Sequence, residues 1–187
     1  MSHNLQPMTF KSPYRQGADD GFLMGIYLSA MSLGLVNSSR IPLLALVALG
    51  MFVAVPAIVY TFMRRYDRRL GRASAFAVNW MHGVMIFVCA ALVSGAVMTV
   101  YMRWIDPGFI SSQMETLAGM EGRFPGTTFD QSAMLARQMV EANFMPSAIS
   151  ISVELIFLEI FSGSCLAMLL SGILALVRRP QELRIKN

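Results

Sequence analysis

"SVELIFLEIFSGS", residues 152–164, sets two glutamates, Glu154 and Glu159, into a run of Ile, Leu, Phe and small residues. In a soluble helix such carboxylates mark the wet face. In hydrocarbon they are costly, so where they stand is informative. The surroundings choose between these cases, because from Ser147 to Val177 no other charged residue occurs. A run of that length exceeds the roughly 20 apolar residues needed to cross a hydrocarbon core of about 30 Å. The stretch reads as a membrane span.

Working outward, the rest of the chain repeats the pattern. Of 187 residues, 55% are hydrophobic and only 14% charged, with a mean hydropathy of +0.54. Soluble domains carry about a quarter charged residues. Charge-poor runs predict spans over residues 19–36, 41–63, 73–102 and 147–177, the first being the shortest. The expected fold is therefore all-α, a polytopic membrane protein of four transmembrane helices over 17–177. A two-helix insertion at 103–146 separates the third span from the fourth, and short tails (1–16 and 178–187) flank the whole.

Orientation follows from the arginines. "RRYDRRLGR" sets Arg64, Arg65, Arg68, Arg69 and Arg72 against Asp67 alone. The C-terminal tail sets Arg178, Arg179, Arg184 and Lys186 against Glu182, whereas 103–146 has more acidic than basic residues. Lys and Arg gather on the cytoplasmic side. Both termini and the 63–74 loop are thus expected inside a bacterial inner membrane, with the insertion outside. The arginine run either grips anionic head groups or a partner, or only orients the chain; orientation is the preferred reading. Asp19 and Asp20 sit against the first apolar run and no small-x-small site ends it, which argues against a cleaved signal.

Helical angle separates the two glutamates by about 140°. Glu159 shares its face with Ser152, Ser162, Gly163 and Ala167, small residues that mark close helix approach in lipid. It is expected to point into the bundle, with Arg40 the foremost partner. Glu154 shares its face with Phe157, Leu158 and Phe161, and is expected to stand in water beyond the hydrocarbon. Glu159 is either a proton or cation site, or a structural ion pair or serine-bonded carboxyl. Its shallow depth favours the structural reading. His82, with Asn79 one turn before it, has the same two readings, a relay or a locally bonded side chain. The candidate intramembrane polar set is Glu159, His82, Asn79 and Arg40.

Other features are ordinary membrane-protein furniture. Small residues at Gly21, Gly25 and Ser29, at Ala91 and Gly95, and at Gly163, Ala167 and Ser171 predict tight crossings. Tyr60, Tyr66 and Trp80, then Tyr101 and Trp104, are expected in aromatic belts. Cys89 and Cys165 fall inside spans and read as packing residues. No cofactor or metal site is expected, no phosphate loop or hydrolase triad is present, and nucleic acid has no basic domain to hold it.

In the insertion, Asp106 before Pro107 predicts a helix ending at Gly119 or Gly122. Thr128 and Gln131 match a capping box for a second helix. Its stripe of Phe129, Ala133, Ala136, Val140 and Phe144 should cap the ends of the third and fourth spans, and its polar face should be left for a partner.

The stretches "GADDGFLMGIYLS" (17–29), "YTFMRRYDRR" (60–69) and "RWIDPGFI" (103–110) resemble a family of Bacteroidota four-span inner-membrane proteins known as a domain of unknown function, over about residues 15–179. The resemblance implies no activity and transfers no catalytic residue. It implies a neighbouring polyprenyl-phosphate glycosyltransferase as partner, hence lipid-linked sugar metabolism. The function expected is a non-enzymatic accessory or scaffold subunit of a membrane-associated enzyme. The alternative is a small carrier or lipid-translocating protein using Glu159 and His82.

Overall fold

The computed structural model describes residues 12–71 and 75–185. Arg72, Ser74, Lys186 and the first eleven residues of the N-terminal tail lie outside the described residues. The described residues are mostly helical: α1 (Pro13–Val36), a 3-10 turn (Asn37–Ser39), α2 (Leu43–Leu70), α3 (Phe76–Val100) with a π-helical turn (Tyr101–Ile105), α4 (Phe109–Ala118), α5 (Thr128–Glu141) and α6 (Ala148–Ile185). Four helical stretches are long and apolar enough to cross a membrane: Pro13–Ser39, Leu43–Leu70, Phe76–Ile105 and Ala148–Val177. The protein is a multi-pass membrane protein.

The helices outrun the predicted spans, because charge marks where hydrocarbon ends and capping marks where a helix ends. α1 begins at Pro13, six residues before the expected span, since the Ser12 hydroxyl accepts from the Arg15 amide and proline tolerates the first helical position. α2 runs through the arginines to Leu70 and stops at Gly71, whose φ of 55° is readily adopted by glycine.

The chain divides into two compact units. Of the described residues, the first comprises 12–71, 75–94 and 156–185, and the second is Gly95–Leu155. In the first unit, Met24 and Leu28 of α1 meet Val55, Val59 and Met63 of α2, Ile86, Phe87 and Ala90 of α3, and Leu170 and Leu174 of α6. Large apolar side chains such as Leu46, Val53, Phe157 and Phe161 face outward. That arrangement requires a lipid surround.

Glycine sets the crossings. A Cβ on Gly21 would stand 2.7 Å from the Ile86 carbonyl oxygen, and one on Gly25 2.6 Å from Val93 Cβ, so α1 lies directly on α3. A Cβ on Gly83 would stand 2.7 Å from Ala167 Cβ, and one on Gly163 would overlap the Phe87 ring, which brings α6 equally close to α3. The small-residue stripes on α1 and α6 are thus contact faces, as expected. Two belt assignments are corrected: Tyr66 and Tyr101 are buried, while Trp80 and Trp104 are exposed.

In the second unit, α5 packs on α4. The predicted cap shifts by one residue. Thr127, in extended conformation, caps α5 by accepting from the Asp130 amide, and Asp130 turns its carboxylate to the Gly122 amide at 2.7 Å. Gln131 is left exposed. The stripe is corrected too. Only Ala133 and Ala136 are buried, because small side chains allow close approach; Phe129 is 40% exposed and stacks edge-on with Phe124. Phe144 lies beyond the end of α5 and is exposed. On the polar side, Arg137 bonds Glu121 and Glu141, each at 2.9 Å. These bonds, first that to Glu121, raise the arginine pKa and keep it charged. Being exposed, the pairs set geometry more than stability.

The α3–α6 crossing is testable. Gly163→Ala should destabilise the protein in detergent by about 1–3 kcal/mol, the usual range for overpacking a filled core. Gly172→Ala, whose Cβ would meet nothing within 4 Å, should be close to silent in the same unfolding measurement.

Candidate intramembrane polar sites

Polar side chains within the first unit collect at two levels of α3. The first level lies next to the α2–α3 connection. His82 is fully buried, with its ring stacked on Tyr66 at 4.2 Å between centroids and 20° between planes. Its Nδ1 stands 3.3 Å from the Pro13 carbonyl oxygen. A carbonyl only accepts, so a bond here requires the proton on Nδ1. Nε2 stands 3.4 Å from Asp20 Oδ2 but is not aligned for a hydrogen bond. Gly17 makes the approach possible: a Cβ there would stand 2.7 Å from Met85 Cβ and 3.4 Å from His82 Nδ1.

Asn79 does not serve His82. Its Nδ2 donates to Asp67 Oδ1 at 2.8 Å, tying the start of α3 to the last turn of α2. The Tyr66 hydroxyl is buried with no hydrogen-bond partner among the described residues. Such an unmet group costs about 1–3 kcal/mol, so the Tyr66–His82 stack is retained against a penalty.

The second level is Glu159. Ser94 Oγ donates to Glu159 Oε2 at 2.7 Å, across from α3 to α6. The expected pairing with Arg40 is therefore replaced by the serine bond. Arg40 stands at the C-cap of the 3-10 turn joining α1 to α2, where its amide bonds the Asn37 carbonyl. Ser94 stands opposite Glu159 on the neighbouring helix. Glu154 is exposed, as its angle predicted.

The candidate set thus does not converge. His82 and Ser94 are twelve residues apart on one helix, about 18 Å along its axis at 1.5 Å per residue. Between them α3 presents Ile86, Phe87 and Ala90, all buried in the apolar core. The arginines form a separate group: Arg64, Arg65, Arg68 and Arg69 are exposed on the last turns of α2, with Arg64 lying over the Tyr60 ring at 5.9 Å. Arg72 lies outside the described residues. Among the described residues no group of three or more His, Cys, Asp or Glu could hold a metal ion.

The partners Asp20, Tyr66, Asp67 and Ser94 were not singled out from sequence as site residues. Ser94 carried a signal, being a hydroxyl on the flank of the Ala91–Gly95 stripe of α3. Tyr66 carried none, because its arginine neighbours disguise it as an interfacial residue.

A family model described as "Protein of unknown function (DUF4199)" matches residues 19–179. The chain belongs to this family. The DUF4199 match spans both polar levels, from Asp20 through His82 and Ser94 to Glu159, and the whole insertion. Neither the curated proteins nor the solved structures yield a match.

The Ser94–Glu159 bond predicts coupling. Ser94→Ala should destabilise the solubilised protein by about 1–3 kcal/mol by leaving the carboxyl unmet. In a double-mutant cycle with Glu159→Gln, Ser94→Ala should be non-additive, whereas Arg40→Ala should add within roughly 0.5 kcal/mol. Strong coupling to Arg40 with none to Ser94 would reverse the assignment.

Proposed function

We propose that this chain is a non-enzymatic accessory subunit of a bacterial inner membrane, holding a membrane-associated enzyme in place. The observation that carries this reading is the separation of the polar sites. Glu159 and His82 each meet groups close by, and buried apolar side chains fill α3 between them. A carrier that used both would need a continuous polar path. The groups offered outward are instead the polar face of α5, including Gln131 and Gln138, and the arginines ending α2. A polyprenyl-phosphate glycosyltransferase is the first partner to test.

Co-purification in mild detergent separates the readings. Glu159→Gln and His82→Gln should retain the partner, while Gln131→Arg with Gln138→Arg should reduce its recovery at least tenfold. Loss of function with Glu159→Gln in a protein that still folds and still holds its partner would favour the carrier.

The arginine balance supports a cytoplasmic α2–α3 connection and an insertion on the other side. In a background without Cys89 and Cys165, an impermeant thiol reagent applied to spheroplasts should label Gln138→Cys and spare Ala75→Cys. The opposite labelling would invert the orientation.

A further inference from the structure

A groove of about 200 Å³ opens between the end of α2 and α6, lined by Tyr60, Arg64, Asp67, Arg68, Leu174 and Val177, with Gly71 at its edge. We propose that it binds the phosphate of an anionic membrane phospholipid. Three observations converge on that ligand.

First, the cations are placed as a pair. Arg64 and Arg68 are four residues apart, hence on one helix face, and both line the groove. Arg65 and Arg69 point elsewhere. Among the described residues neither Arg64 nor Arg68 forms an ion pair. Among the described lining residues the one carboxylate is Asp67, which accepts from Asn79 through Oδ1. Two guanidiniums beside one such carboxylate leave net positive charge, and guanidinium forks match phosphate oxygens. Tyr60 underlies Arg64 and limits the conformations it can adopt.

Second, the level is right. Counting from Leu43 at 1.5 Å per residue, Arg64 is about 32 Å along α2, at the edge of a hydrocarbon core of about 30 Å. Phosphates of the bilayer lie just beyond that edge.

Third, the walls are amphipathic in the sense a lipid needs. Arg64 and Arg68 carry the charge, whereas Leu174 and Val177 on α6 give an apolar side. Free phosphate would gain nothing from that side. A lipid uses both.

The test is native mass spectrometry of the full chain in neutral detergent, titrated with phosphatidylglycerol or phosphatidylethanolamine. Phosphatidylglycerol should bind at least tenfold more tightly, and R64A/R68A should remove that preference. R65A/R69A takes the same charge from the adjacent face and should change binding less than threefold. All four arginines are exposed, so both double variants should fold, and the single variant R68A should still weaken phosphatidylglycerol binding at least threefold. Equal losses from the two arginine pairs would reduce the effect to unspecific charge and overturn the site. Displacement of the lipid by a matched excess of inorganic phosphate would overturn the lipid assignment.

Discussion

Gly21 and Gly25 on α1, with Gly83 on α3 and Gly163 on α6, let the flanking helices lie so close to α3 that a Cβ at any of these positions would collide with the neighbouring helix. In lipid there is no hydrophobic drive to press helices together, so close packing and the hydrogen bonds it permits must do that work. The rest of the first unit depends on this proximity. Ser94 can reach Glu159 because α6 is close to α3. His82 can sit beneath the first turn of α1 because Gly17 has no side chain to hold that helix away.

Satisfying polar groups locally is the second consequence. Ser29, Thr61, Ser162 and Ser171 each return a hydroxyl bond to the carbonyl four residues earlier, so these four have a partner in their own turn. Tyr27 donates across to the Met51 carbonyl of α2. Glu159 meets the Ser94 hydroxyl of the neighbouring helix, and His82 meets the Pro13 carbonyl through Nδ1 while its Nε2 makes no hydrogen bond among the described residues. Among the described residues the buried hydroxyls of Tyr66 and Ser152 have no hydrogen-bond partner, the first on the ring that stacks with His82.

The insertion is held by different means, suited to water. Its two helices pack together, α5 buries Ala133 and Ala136, and its surface is ordered by exposed devices: a threonine cap, an aspartate closing a glycine turn, and Arg137 shared between two glutamates. Each is individually weak. Together they give α5 a defined polar face.

Span number, helical class and the outward-facing Phe157 and Phe161 were legible in the chain, because transfer from water to lipid acts on each residue wherever it folds. The inward angle of Glu159 and the outward angle of Glu154 were legible for a related reason: helical periodicity is local. The partners were not. Whether Glu159 meets Arg40 or Ser94, whether Tyr66 lies in a belt or under His82, and which of Thr127 and Thr128 caps α5 depend on how helices distant in sequence cross and on which backbone is extended. Those choices belong to the crossings. Depth and face follow from residue type and local repeat, but the group opposite a side chain is decided only when another helix is brought within ångströms of it.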